Sequence, residues 1–221
     1  MTLILNFHGI GTAQRAFEEG EEPYWIDEQR FHDCLDLAEG SPQDILLTFD
    51  DSNASDFDIA YHALAQRKMK AIFFVLAGKI GQTGYLSQSN IRAIEAHQLM
   101  EIGSHGMDHR PWSELGAAEL SQEIVTSRQI LSALCEREIT AAGLPFGRYN
   151  RNVLTHLRKH GYRDIYSSDG AAKLTKAAPL PRFSVRADTP LEALEIMIMH
   201  KPTLPTRMKN ELRACIKAMM P

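Results

Sequence analysis

Ile45-Leu46-Leu47-Thr48-Phe49-Asp50-Asp51-Ser52 is a short, nearly unbroken apolar run that stops abruptly at two carboxylates. Ser55 to Gln66 follows with helical periodicity, and Ala71 to Leu76 is a second uninterrupted apolar run. A strand, a crossover helix and another strand, each strand buried on both faces, form the unit from which parallel sheets are built. The same alternation continues outward in both directions. Strands are expected at Leu3 to Phe7, Met100 to Ile102, Ile139 to Ala142, Asp164 to Ser167 and Phe183 to Val185. Helices are expected at Asp27 to Ala38, Ser89 to His97, Ser113 to Cys135, Asn150 to Lys159 and Pro190 to Met199. A last helix, Arg207 to Met219, follows a break at Pro202 to Pro205, and its Met and Leu stripe reads as packing surface. Start signals are visible in Ser113-Glu114-Leu115-Gly116 and in Thr189-Pro190, a capping hydroxyl before a first-turn proline. The fold class is α/β, a single layered or barrel domain of about seven parallel strands.

At 221 residues with 44% hydrophobic content the chain can bury a full core without dividing, and neither a repeat nor a linker splits it. A net charge of -4 offers no basic field for a phosphate backbone, so nucleic acid is excluded as the expected partner. Nothing approaches the ~18 uncharged apolar residues of a membrane helix, and the N-terminus lacks a charged lead. The expected location is the cytoplasm. Cys34, Cys135 and Cys215 are widely separated and odd in number, which argues against a disulfide framework. The acidic loop between Thr12 and Pro23, with Glu18, Glu19, Glu21 and Glu22, reads as a solvated surface segment.

Chemistry concentrates at two strand exits, where parallel β/α folds gather their active-site groups. Asp50 and Asp51 end the Ile45 strand, and adjacent carboxylates there require either a cation or a role capping the helix near Ser55. Gly103-Ser104-His105-Gly106-Met107-Asp108-His109 follows the Met100 strand, and histidines four apart can share one face of a helical turn and offer two imidazole nitrogens to one ion. The competing reading is coincidence, since the chain has nine histidines. One carboxylate and two imidazoles make a three-ligand site with open positions, suited to zinc first and to cobalt, nickel or iron as well. The spare Asp50 is then free to act as a general base toward water activated by the ion.

Thr48-Phe49-Asp50-Asp51, Ser104-His105 to His109 and Leu144-Pro145-Phe146-Gly147 together resemble three motifs of the polysaccharide deacetylases. The resemblance spans most of the chain and implies a distorted β/α barrel over residues 1–221 with Asp51, His105 and His109 on the metal and Asp50 as the base. It implies hydrolysis of N-acetyl groups from a carbohydrate or glycan precursor, with Pro145, Phe146, Gly147, Arg148 and Tyr149 lining the substrate groove. A non-catalytic sugar-binding barrel and a hydrolase of a small non-sugar amide are the alternatives. Two departures stand out. Ser52 replaces the glycine that usually closes the first motif, and Gly143 occupies the place of an arginine that orients the catalytic Asp in the family, which leaves Arg148 as the candidate replacement. His200, after Ile196-Met197-Ile198-Met199, is the nearest match to the family's late acid histidine, with a helix-capping role as its alternative. His8, at the exit of the first strand, is the second candidate for the catalytic pocket.

Overall fold

The computed structural model describes residues 2–170, 179–201 and 203–220. Of the expected break at Pro202 to Pro205, Pro202 lies outside the described residues. Eight strands are β1 (Thr2–Phe7), β2 (Asp44–Phe49), β3 (Ala71–Val75), β4 (Met100–Ser104), β5 (Ala141–Gly143), β6 (Asp164–Ser167), β7 (Leu180–Pro181) and β8 (Phe183–Ser184). They form one sheet in the order β7-β6-β5-β4-β3-β2-β1-β8, with every neighbouring pair parallel.

The two edge strands belong to one five-residue run. Leu180 and Pro181 pair with Tyr166 and Ser167, whereas Phe183 and Ser184 pair with Leu5 and Asn6 on the opposite edge. The run bridges the two edges of a six-strand sheet and nearly closes it into a barrel. Arg182, at the switch from one edge to the other, is fully buried.

Alternation along the strands divides the core. Leu5, Phe7, Leu47, Phe49, Phe73 and Val75 face outward into the large cluster beneath the helices. Ile4, Ile72, Phe74, Ala141 and Tyr166 face inward and fill the barrel. The outer layer comprises α1 (Glu28–Glu39), α2 (His62–Arg67), α3 (Gln88–Glu95), α4 (Ala117–Ser121), α5 (Ser127–Cys135), α6 (Arg151–Lys159), α7 (Leu191–Met199) and α8 (Leu204–Met219). Wide π turns at Asp56–Tyr61 and Gln122–Thr126 lead into α2 and join α4 to α5, so the long helix expected from Ser113 begins only at Ala117.

Gly116, not Ser113, is its cap, with Glu119 reaching back to the Gly116 N–H. Thr189 does not cap α7 either; its Oγ1 accepts from the Arg186 N–H. No helix among the described residues is long and apolar enough to cross a membrane.

Candidate active site

The exits of β1, β2 and β4 deliver His8, Asp50 with Asp51, and His105 to one mouth of the barrel. Asp50 turns inward, where it is 2% exposed. Its Oδ1 accepts from Arg182 Nη1 at 2.7 Å, and its Oδ2 accepts from Arg182 Nη2 at 2.8 Å and from Asn6 Nδ2 at 2.9 Å. Asn6 is itself fixed, since its Oδ1 accepts from Thr48 Oγ1 at 2.7 Å and from Arg182 Nη1 at 2.8 Å. The Arg182 guanidinium also lies 5.0 Å over the Phe74 ring. Burial disfavours the Asp50 anion, but the charges of Arg182, His105 and His8 outweigh it and hold the carboxyl below its ordinary range.

Asp51 turns away from Asp50 through a left-handed backbone, with φ of 73°, followed by Ser52 at 60°. The glycine usual at the second position would meet this φ without strain. Ser52 offsets it by accepting the Leu76 N–H on its Oγ at 2.6 Å. Neither aspartate caps a helix: the turn after Ser55 has no side-chain cap.

His105 Nε2 and His109 Nε2 each lie 3.4 Å from Asp51 Oδ1, and the three ligand atoms fall within 4.8 Å of one another. Two ligands about 2.0–2.1 Å from a tetrahedral ion are separated by roughly 3.4 Å. Asp51 Oδ1 is buried with no hydrogen-bond partner among the described residues. The remote ring nitrogens are both engaged, His105 Nδ1 with the Gly143 carbonyl at 3.0 Å and His109 Nδ1 with Glu18 Oε2 at 2.9 Å. An orphaned carboxylate oxygen facing two imidazole nitrogens, each imidazole oriented from behind, is a donor set that fits a divalent cation. Burial penalises ionisation of Asp51, yet His109, His105 and His8 hold its carboxyl far below the usual value. Burial likewise opposes charging of His109, but Asp51 and Glu18 raise its pKa.

The histidines do not share a helical turn. Residues 105–111 form an irregular loop in which Gly106 has φ of 92° and His109 has φ of 55°. The buried carboxylate of Glu123, on the Gln122–Thr126 turn, shapes this loop by accepting from Met107 N at 2.8 Å, Asp108 N at 3.3 Å and Trp112 Nε1 at 3.3 Å. A Cβ on Gly106 would stand 2.3 Å from Glu123 Oε2, so this φ and this contact admit only glycine.

The remaining expectations divide. His8 lines the same cavity of about 260 Å³, with Nε2 4.0 Å from Asp50 Oδ2 and its ring against Tyr24. Burial lowers its pKa. Of the third-motif stretch, Phe146 reaches the cavity and stacks on His109 at 4.3 Å between ring centroids. Pro145, Gly147 and Tyr149 are buried behind it, with the Tyr149 hydroxyl donating to Asp169. Arg148 points outward and pairs with Glu114, so it does not reach Asp50. Arg182 fills that place instead, from the other side of the barrel. Gly143 has no room for a side chain, because a Cβ there would lie 2.9 Å from Phe74 Cγ and 3.1 Å from His105 Nδ1.

His200 is not brought to the site. It ends α7, whose last carbonyls at Met197 and Ile198 accept from Gln43 and Ser41, just before β2 and thus at the opposite end of that strand from Asp50. The acidic loop is only partly solvated. Glu18 backs His109, and Glu21 is buried in an ion pair with Arg15. Cys34 is buried, and burial pushes its thiol up to about 11.

The sequence profile named Polysaccharide deacetylase matches residues 38–165. YxkH of Bacillus subtilis (strain 168), which carries the same family name, is 29% identical over 129 residues, 58% of this chain, and the match spans 46% of the YxkH sequence. Among solved structures, IcaB from Ammonifex degensii superposes with a TM-score of 0.76 at 19% identity, covering 90% of this chain and 97% of that one. The Streptococcus pyogenes deacetylase PplD, in complex with acetate, superposes with a TM-score of 0.73 at 20% identity over 89% of this chain and 97% of its own. At these identities the two structures share the fold, while the profile match extends over more than half of the sequence and includes the two strand exits that carry Asp50, Asp51, His105 and His109. The chain belongs to the polysaccharide deacetylase family.

Proposed function

We propose that this protein hydrolyses the N-acetyl amide of a carbohydrate or glycan precursor, using a divalent ion, zinc first among the candidates, held by Asp51, His105 and His109. The observation that carries this reading is a second carboxylate, Asp50, beside the ligand triad and clamped by Arg182 and Asn6. Sugar binding alone needs no spare carboxylate, and the buried arginine removes the main support for a barrel that has lost turnover. When bound, the ion supplies Lewis-acid polarisation of an amide carbonyl and acidification of water.

Asp50 takes the proton of the attacking water, its carboxylate facing His8 and His105 and holding three donors where about four can be accepted. Arg182 keeps the carboxylate ionised and ready to accept it. As the C–N bond breaks, the proton passes to the departing amine; His8, neutral at rest and 4.0 Å from Asp50, is the group that relays it. Acetate and an amino sugar are the products, and the acetate found in PplD is consistent with this chemistry. Phe146, half exposed over His109, offers an apolar face to a sugar ring.

Acetate release from N-acetylated oligosaccharides, followed before and after zinc loading, tests the reading. Release is expected to require zinc and to disappear, together with zinc binding, in His105→Ala. Zinc binding without release from any acetylated sugar would overturn it and favour a small-amide hydrolase or a binding barrel.

A further inference from the structure

The outward face of α8 is apolar and has no cover among the described residues. Leu204, Met208, Leu212, Ile216 and Met219 are all at least half exposed, with Leu212 at 63% and Met219 at 72%. Their spacing of four, four, four and three residues keeps them within a third of the helix circumference. The opposite face holds the helix to the barrel through buried Asn210 and Ala214. The reading of this stripe as packing surface therefore fails: the side that packs is the small-residue side, and the large apolar side chains point to solvent.

Charge on this helix also departs from that of the chain. The protein carries a net -4, whereas α8 carries Arg207, Lys209, Arg213 and Lys217 against a single Glu211. Lys209 and Arg213 follow one edge of the apolar stripe, whereas Lys217 turns toward the barrel and pairs with Asp169. An apolar stripe bordered by basic side chains on an otherwise acidic molecule complements an anionic lipid surface, where acyl chains lie beside negative headgroups.

The helix is also connected to the site. A cavity of about 640 Å³ is lined by Arg213, Ile216 and Lys217 of α8 together with Arg186, and it shares Tyr24, Ser168 and Ser184 with the cavity that contains Asp50 and His105. Ile216 belongs to both the exposed stripe and this cavity. Arg213 forms no hydrogen bond or ion pair among the described residues.

We propose that α8 docks the protein on an anionic bilayer surface, so that its substrate is an acylated sugar presented from the membrane by an anionic lipid link. The substrate part of this inference rests on the deacetylase reading; the docking part does not. Co-sedimentation with vesicles separates the two, because it reads binding without turnover. Vesicles of phosphatidylcholine containing phosphatidylglycerol are expected to bind the zinc-loaded full chain, and vesicles of phosphatidylcholine alone are not. Lys209→Glu should lower affinity by about tenfold or more, since each basic side chain near such a surface contributes roughly fivefold, and half-molar salt should do the same. Leu212→Glu with Met208→Glu should abolish binding while circular dichroism and acetate release from a soluble acetylated oligosaccharide stay at wild-type levels. Absence of binding to anionic vesicles would overturn docking, as would equal binding by the double variant. A concentration-dependent dimer lost in Leu212→Glu, with no vesicle binding, would assign the face to a second copy of the chain. Loss of acetate release in the parent protein with docking intact would instead count against the deacetylase reading.

Discussion

Asp50 and Asp51 are adjacent and chemically alike, yet their surroundings divide them. Asp50 is held by three donors from Asn6 and Arg182, whereas Asp51 keeps an oxygen without a hydrogen-bond partner toward two imidazoles. Arg182→Lys tests the clamp. Lysine retains the charge but loses the two-pronged geometry, so turnover should fall by about 10–100-fold with KM and zinc affinity little changed. Arg182→Ala leaves Asp50 buried and unpaired, at a cost of about 3–5 kcal/mol, which thermal melts would register as a drop of roughly 10 °C.

Asp56 is a further buried carboxyl, with no partner for either oxygen among the described residues. Burial first, then Asp51 and Asp50, pushes its pKa well above the ordinary value. A carboxyl raised in the folded state contributes full stability below its unfolded pKa and loses that contribution as pH rises through the folded one. Asp56→Asn should therefore stabilise the metal-free protein at pH 8 by about 1–3 kcal/mol, with the gain shrinking toward pH 5 in paired urea titrations. A gain that grows toward acid pH would contradict this account.

At the scale of the element, the loop carrying His105 and His109 gets its shape from a carboxylate on another segment. Glu123 accepts three donors across that loop from a π turn, and its removal strands all three. Glu123→Ala is expected to cost roughly 2–4 kcal/mol and to weaken zinc binding about tenfold or more. Glu18→Gln should weaken zinc binding by a similar factor with little change in stability, because Glu18 is exposed and orients only the His109 ring. A chelator-competition titration beside a urea melt separates the two outcomes.

The elements were legible in unequal measure. Uninterrupted Val, Ile, Leu and Phe runs mark strands buried on both faces, and those from Leu3 to Ser167 all lie on observed strands or, for Ile139, directly before one. The π turns were not legible, because one residue inserted in a helical period leaves the apolar pattern almost unchanged. Four-residue spacing led to a helical turn for His105 and His109. A bound Glu123 carboxylate and the left-handed His109 bring the rings together without one, and no local pattern encodes a partner so far along the chain.

Across the whole molecule, the closure of the barrel and the completion of the site are one event. The run from Leu180 to Ser184 passes from β6 to β1, and the residue at the crossing, Arg182, clamps a carboxylate 132 positions earlier. Sequence alone offered one sign of this: a charged side chain within Leu180-Pro181-Arg182-Phe183-Ser184-Val185, where strands buried on both faces are otherwise apolar. Arg148 is the arginine nearest the motif along the chain but pairs with Glu114, whereas Arg182 reaches Asp50 from across the barrel. His200 failed for a related reason, since a strand exit and a helix end look alike in a short apolar run, and only the chain's path shows which end of the barrel they reach. Ion binding should tie the parts together. At a thousandfold excess over Kd, zinc would add about 4 kcal/mol to the folded state and raise the Tm by roughly 10 °C. No thermal shift on zinc addition would argue against a site preformed at the barrel mouth.

The central claim is that Asp50 accepts the proton of the attacking water while Asp51, His105 and His109 hold the ion. The most direct measurement is acetate release by zinc-loaded Asp50→Asn, with its zinc affinity determined on the same sample. The account predicts zinc binding within a fewfold of wild type and a kcat reduced by about 10²–10⁴. Near-normal turnover by Asp50→Asn with zinc bound would contradict it.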